Sequence, residues 1–196
     1  MSCFGHILYS CHTVLVLELV TLPNLQNIWE LVWGKFAGFK ATFVLTLGRG
    51  KEYRTRSNTK VKIEGAAADV PGYVWDTYQP TPVMSTYLLA WIVSKYESAK
   101  STSARGVIFE AFYANASLVQ RAADVGAKML DHFEQKVFGI KYNLPKMDII
   151  AVETFFSGAM ENWGMMTFKT EFVLHSTDSI DTFDKDLLMA HELVRH

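Results

Sequence analysis

The chain has 196 residues, a formal net charge of -1 and 49% hydrophobic residues, so it can bury one good-sized core, or one core and part of a second. The near-zero charge gives no electrostatic reason to expect nucleic acid as a partner. The only cysteines, Cys3 and Cys11, lie close together near the N-terminus and cannot form a disulfide framework.

The apolar run TVLVLELVTL, residues 13–22, is predicted to be a buried strand or helix rather than a targeting segment. It contains Glu18 and falls well short of the roughly 20 residues that span a bilayer. The first basic residue is Lys35, so the run also lacks the positive start of a signal peptide. We therefore predict no transmembrane segment in this sequence.

The next part of the sequence predicts a helix, a strand and a loop in turn. Apolar residues recur at helical spacing after Pro23, at positions 25, 28, 29 and 32. KATFVLTLGRG, residues 40–50, is rich in β-branched and aromatic residues and predicts a strand. The basic stretch from Arg49 to Lys62 has one aromatic side chain for base stacking, Tyr53, so it predicts a solvated loop rather than a nucleic-acid-binding surface.

Two strands and a long helix are predicted in the middle of the chain. STYLLAWIV (85–93) and GVIFEAFY (106–113) have the length and apolar content of strands, and the polar segment 94–106 between them predicts a turn. Beyond Ser117, apolar residues recur every three or four positions and predict a helix of about five turns that ends at Gly139.

The last third of the sequence predicts two buried strands and a final helix. The strands are MDIIAV (147–152) and WGMMTF (163–168). The helix begins at about Thr182 and is predicted to have four residues on one side, Leu187, Leu188, His191 and Val194. The alternation of strands and helices along the chain indicates a mixed α/β arrangement.

The chain ends with HELVRH, which is one residue longer than a known zinc-binding spacing. Two histidines four residues apart on a helix differ by about 40° and can reach one ion, and a glutamate beside the first can polarise a metal-bound water. His191 and His196 are five residues apart, which corresponds to about 140°. Arg195 instead shares the face of His191, and its guanidinium has no lone pair for a metal. A π-bulge would bring the two histidines together, but such bulges are rare.

A second motif lies upstream, in SGAMENWG, residues 157–164. With it the chain resembles the gluzincin aminopeptidases of the aminopeptidase N type, in which a Gly-Ala-Met-Glu-Asn motif precedes a His-Glu-x-x-His zinc helix at a similar distance. TPVMSTYLLAWIVSKYE, GAKMLDHFEQKVFGIKYNLPKMDIIAV and MAHELV also look like family sequence and follow in the same order. The resemblance covers residues 37–196.

The resemblance implies an α+β fold, the N-terminal half of a thermolysin-like catalytic domain preceded by the last strands of a β-domain. In this interpretation residues 1–36 are an unassigned apolar segment. Residues 37–72 are the remnant of the β-domain, and residues 73–196 are an incomplete thermolysin-like peptidase domain.

The resemblance also implies zinc-dependent removal of N-terminal residues from peptides. Glu161 would receive the free amino group of the substrate, and its neighbours Gly158, Ala159, Met160 and Asn162 would hold the peptide like an added strand. Glu192 would be the general base, His191 the first zinc ligand and His196 the candidate second ligand. The expected partners are peptides with a free N-terminus, and no nucleic acid.

Several positions depart from the family pattern. Either Arg195 stands at the position of the second ligand or one residue is inserted before His196, and both interpretations impair the site. The third ligand glutamate and the oxyanion-stabilising tyrosine of the family would lie beyond the last residue, and residues 168–170 are Phe-Lys-Thr where the family has Tyr-Arg-Glu. We therefore expect a fragment or an inactive paralogue with an incomplete zinc site. The alternatives are a non-catalytic peptide- or partner-binding module that keeps Glu161, and a truncated sequence that does not fold alone.

Overall fold

The computed structural model describes residues 40–155, 157–174 and 182–196, and the backbone alone of residues 5–9, 14–20 and 179–181. The predicted helix at residues 25–32 lies outside the described residues. The chain divides into two compact units, Met1–Lys95 and Tyr96–His196. No helix in the described ranges is long and apolar enough to cross a membrane.

The first unit is built from strands. Its described strands are β1 (Gly5–Tyr9), β2 (Val14–Val20), β3 (Lys40–Gly50), β4 (Arg54–Ser57), β5 (Val61–Ala67), β6 (Tyr73–Tyr78), β7 (Met84–Ser85) and β8 (Trp91–Ser94). The main sheet has the order β1-β2-β3-β6-β5, in which β2 and β3 are parallel and the other neighbours are antiparallel. β7 pairs with the start of β3, and β4 and β8 form a separate two-stranded sheet. The predicted strand at residues 40–50 is confirmed as β3.

The predicted loop at residues 49–62 is wrong, because this segment contains β4 and the start of β5. The sequence RTRS of β4 is polar, yet Thr55 and Ser57 are buried. The hydroxyl of Thr55 donates to Asp76 Oδ2 at 2.6 Å, and the hydroxyl of Ser57 donates to the carbonyl oxygen of Ala90 at 2.8 Å. Hydrogen bonds therefore allow a polar strand to face the interior.

The predicted strand at residues 85–93 is correct only at its two ends. Thr86–Leu88 forms one turn of 3-10 helix between β7 and β8. The turn and the residues after it bury Leu88, Leu89 and Ala90 together. A run of three consecutive buried residues fits a turn inside the core, whereas a strand with one solvent-exposed face would alternate.

The second unit is a five-stranded sheet with two α-helices in the described ranges. Its elements are β9 (Glu97–Thr102), β10 (Ile108–Tyr113), α1 (Gln120–His132), β11 (Lys146–Val152), β12 (Ala159–Met160), β13 (Met165–Lys169) and α2 (Ser179–Val194). The order is β12-β13-β11-β10-β9, with β13, β11 and β10 parallel and the two edge strands antiparallel. The chain as described is a mixed α+β structure, and the strands predicted at 106–113, 147–152 and 163–168 are confirmed.

Helix α1 packs on the sheet and is confirmed close to its predicted limits. It continues into a π-helical turn at Phe133–Val137, and Gly139 follows with a φ of 65°. The fit against β10 is tight at Gly126, where a Cβ atom would lie 2.8 Å from ring carbons of Phe109. Only glycine allows this distance without a shift of the ring.

The predicted turn at residues 94–106 is wrong in its central part, which forms the edge strand β9. Within β9 only Ala99 is buried, because the strand pairs with β10 on one side and its polar side chains face water. The turn is limited to the residues that follow, where the amide of Gly106 donates to the carbonyl oxygen of Ser103 at 2.9 Å. An exposed polar edge strand has too few apolar residues to be recognised by periodicity.

Helix α2 begins at Ser179, three residues before the predicted start. The side predicted to carry Leu187, Leu188, His191 and Val194 is not the buried one. Leu187 and Val194 are 59% and 46% exposed, while Met189 and Leu193 are buried. A two-pronged ion pair between Arg121 of α1 and Asp186 of α2, with N–O distances of 2.6 and 2.7 Å, fixes this rotation of the helix.

Candidate active site

The five-residue motif at 158–162 lies on the edge strand β12 and the turn after it. Ala159 pairs with Phe168 and Met160 with Thr167, so β12 runs antiparallel to β13. The turn closes where the amide of Met165 donates to the carbonyl oxygen of Asn162 at 2.9 Å. Asn162 is fully buried, which holds the turn to the body of the unit and places Glu161 at the end of β12.

Gly158 begins the motif at a close contact between chain segments. Its carbonyl oxygen accepts a hydrogen bond from the amide of Lys169 at 3.0 Å. A Cβ atom at this position would lie 3.3 Å from the ring of Phe172 and 3.6 Å from the side chain of Leu188 in α2. The missing side chain therefore lets the motif lie close to the helix that carries His191.

The end of α2 places its two histidines on different sides. His191 is exposed, whereas the next two residues, Glu192 and Leu193, are buried. Both ring nitrogens of His196 are buried, and its ring lies edge-on against Tyr142 with 6.1 Å between the ring centroids. The two imidazoles therefore have different surroundings, one exposed and one buried.

Arg195 takes the place beside His191 that the four-residue spacing predicts. Its Nη1 atom lies 3.5 Å from His191 Nε2, and its Nη2 atom lies 2.9 Å from Glu161 Oε1. The side chain of Glu161 is 10% exposed and that of Arg195 is 52% exposed. One guanidinium thus joins the end of α2 to the carboxylate at the end of β12.

Glu192 is a buried carboxyl close to these charges. Burial raises its pKa, the negative charge of Glu161 raises it further, and His191 and Arg195 oppose the rise. Within the described ranges, Glu192 Oε2 is buried and accepts no hydrogen bond. Such a group holds its proton more readily than an exposed glutamate, which is a property of general bases and acids.

His196 is held neutral by its surroundings. Burial lowers its pKa to about 4. Neither ring nitrogen has a hydrogen-bond partner in the part of the chain that the structure describes. The contacting residue Tyr142 is itself partly buried, its hydroxyl donates to the carbonyl oxygen of Lys146 at 3.3 Å, and burial raises its pKa.

The described residues do not fit the zinc ion that the resemblance implies. A catalytic zinc site takes three protein ligands and a water. Across the described ranges, no three histidine, cysteine, aspartate or glutamate side chains lie close enough together to hold a metal. A permanently charged guanidinium, that of Arg195, instead lies 3.5 Å from Nε2 of the exposed His191 ring.

Sequence reasoning did not find three contacts in the second unit. The ion pair of Arg195 with Glu161, the pair of Arg121 with Asp186 and the contact of Tyr142 with His196 all join distant parts of the sequence. No local pattern marks such pairs, since each depends on how the sheet and helices pack. The four-residue spacing of His191 and Arg195 predicted only that these two side chains share a face of the helix.

Comparison with known proteins assigns the sequence to a family. A profile described as the peptidase family M1 domain matches residues 121–196. Glutamyl aminopeptidase of Bos taurus is 34% identical over 162 residues, which cover 79% of this chain and 16% of the relative. The chain belongs to peptidase family M1. The resemblance stated from the motif at 158–162 is thereby confirmed.

Other M1 relatives match a similar share of this chain. Membrane alanyl aminopeptidase of Heliothis virescens is 36% identical over 168 residues, and the mitochondrial aminopeptidase 2 of Saccharomyces cerevisiae is 40% identical over 163 residues. Each match covers 80% of this chain and 16% of the relative. The chain therefore spans about a sixth of the length of these curated relatives.

Proposed function

We propose that this chain is a member of the zinc aminopeptidase family that does not hydrolyse peptides as it stands. One observation carries the proposal: the guanidinium of Arg195 lies beside His191, at the position where the family has its second zinc ligand. In this interpretation zinc is the cofactor of the family. His191 and Glu192 match the family motif, but the chain would not bind the zinc ion on which their catalytic roles depend.

Electrostatics supports this proposal. Two unit charges about 4 Å apart interact by roughly 1 kcal/mol in water and about 4 kcal/mol at an effective dielectric constant of 20, and a dication doubles these values. A zinc ion on His191 Nε2 would meet a repulsive guanidinium whose Nη1 atom lies 3.5 Å from that nitrogen. Both ring nitrogens of His196 are buried rather than open to an ion in solution.

The second candidate is a non-catalytic module that binds the free N-terminus of a peptide, and the placement of Glu161 favours it. Its carboxylate already accepts a charged N–H donor at 2.9 Å, as it would accept an ammonium group. β12 is the end strand in the described order of its sheet, so a peptide can add along it with Gly158, Ala159 and Met160. Asn162 would hold the turn that places Glu161.

The finer fold assignment is part of the same proposal. The second unit, Tyr96–His196, would be the N-terminal half of a thermolysin-like catalytic domain. The sheet of the first unit would include the last strands of a β-domain. The boundaries after residues 36 and 72 stay predictions.

Two assays on the purified chain test these functions. Release of p-nitroaniline from leucine p-nitroanilide, with and without added zinc, measures hydrolysis, and we expect no release above background.

Fluorescence anisotropy with trialanine labelled at its C-terminus measures binding, and the N-acetylated peptide is the control. Binding that survives a chelator and is lost in Glu161→Gln supports the module, whereas chelator-sensitive hydrolysis would contradict the first proposal.

A further inference from the structure

We propose that Arg195 is a built-in competitor for the peptide amino group at Glu161. The inference rests on the proposed peptide-binding function of Glu161. Under it, a peptide binds only when the guanidinium of Arg195 leaves the carboxylate, so Arg195 sets the apparent affinity of the site.

The geometry of the carboxylate supports competition rather than shared binding. The Nη2 atom of Arg195 lies 2.9 Å from Glu161 Oε1, within the range of a charge-assisted hydrogen bond. The side chain of Glu161 is 10% exposed, so little of the carboxylate faces solvent. An ammonium group seeks the same kind of contact with the same group.

The position of Arg195 makes it a tethered competitor that can still leave. It follows the last residue of α2, and its amide donates to the carbonyl oxygen of Glu192 at 3.2 Å, so its backbone is held near the site. Its side chain is 52% exposed and has water to move into. A tethered group acts at a high effective concentration, which a free peptide must overcome.

The size of the effect follows from how often the carboxylate is free. If Arg195 leaves Glu161 open for only a fraction of the time, the apparent Kd of a peptide rises by the inverse of that fraction. Fully exposed ion pairs are weak, but in this pair only Arg195 is about half exposed, whereas Glu161 is largely buried. We therefore expect removal of the competing charge to tighten binding about fivefold to tenfold.

The experiment measures the Kd of C-terminally labelled trialanine by fluorescence anisotropy for the wild-type chain, Arg195→Ala and Arg195→Gln. Arg195→Gln keeps most of the side-chain length and removes the charge, so it is the second variant if Arg195→Ala folds poorly. Arg121→Ala is the matched control, because it removes an arginine that pairs with Asp186 on the same helix. Circular dichroism checks that each variant is folded.

We expect tighter binding of the free-amine peptide in both Arg195 variants, no change for the N-acetylated peptide, and no tightening in Arg121→Ala. Wild-type binding that depends on Glu161 and is unchanged or weaker in both Arg195 variants would overturn the competitor and leave the proposed function intact. Equal tightening in Arg121→Ala would also overturn it, because a loosened α2 would then explain the gain. If no variant binds in a way that Glu161→Gln abolishes, the peptide-binding function and the competitor are both wrong.

Discussion

Arg195 Nη2 lies 2.9 Å from Glu161 Oε1, and this ion pair joins the end of α2 to the turn that follows β12. The same guanidinium lies 3.5 Å from His191 Nε2. A single cation therefore contacts the carboxylate expected to receive a peptide amino group and the histidine expected to hold zinc.

Arg195→His should raise the affinity of the chain for zinc. The substitution removes a repelling cation and places an imidazole four residues after His191, at about 40° around the helix. We expect zinc binding, measured by isothermal titration calorimetry, to tighten by at least about tenfold relative to the wild-type chain. Arg195→Ala is the control, since it removes the cation without adding a ligand. Equal affinities in the two variants would show that the spacing is not the main defect.

The pair of Arg121 and Asp186 should contribute measurably to stability, because it is two-pronged and only about one-third exposed on each side. We expect a double-mutant cycle with Arg121→Ala and Asp186→Ala, followed by urea unfolding, to give a coupling free energy of about 1 kcal/mol. The exposed pair of Lys169 and Glu171, with an N–O distance of 2.8 Å, is the control and should give a smaller value. A coupling near zero for the first pair would contradict its role in orienting α2.

Asp76 should make the stability of the first unit depend on acid pH. Burial would raise the pKa of Asp76, but hydrogen bonds from Arg49, Thr55 and the amide of Gly65 outweigh it and hold the pKa below its usual value. A carboxyl with a lowered folded-state pKa stabilises the fold above its unfolded value, about pH 4. That contribution is lost as the pH falls through the folded-state pKa.

The test compares urea unfolding of the wild-type chain and Asp76→Ala between neutral and acid pH. Near pH 7 we expect the substitution to cost about 3–5 kcal/mol, because it leaves the buried Arg49 without its carboxylate. The difference should shrink at acid pH, where the wild-type carboxylate is protonated. A difference that stays constant across the pH range would contradict the assignment.

Gly126→Ala should destabilise the second unit, although alanine is normally the better helix residue by about 1 kcal/mol. The new methyl group would lie 2.8 Å from ring carbons of Phe109. We expect a net loss of about 1–2 kcal/mol in the free energy of unfolding, since overpacking in a tight core outweighs the gain in propensity. Combining Gly126→Ala with Phe109→Leu should recover part of the loss. A stabilised single variant would show that the ring moves freely.

The sequence allowed the buried elements to be predicted because their signal is local. β3, β10, β11 and α1 have runs or stripes of apolar residues that match the period of their structure. β4 and β9 were missed because their side chains are mostly polar, and what makes them strands is pairing with β8 and β10. Pairing across the sheet leaves no mark in a short polar segment.

Only part of the candidate site could be predicted from the sequence. The helical period alone predicts that Arg195 lies beside His191, and the structure shows this contact. The same period could not reveal that Glu161 pairs with Arg195, since that contact depends on where the turn after β12 meets α2. The inner face of α2 was also missed, because it includes Glu192, a residue that a polarity pattern assigns to the surface.

The most direct test of the central claim is the zinc content of the purified chain. Inductively coupled plasma mass spectrometry after incubation with zinc and extensive dialysis gives the number of ions per chain. Because Arg195 occupies the place beside His191, we expect far less than one zinc ion per chain and no chelator-sensitive release of p-nitroaniline from leucine p-nitroanilide. One tightly held zinc ion per chain together with that activity would contradict it.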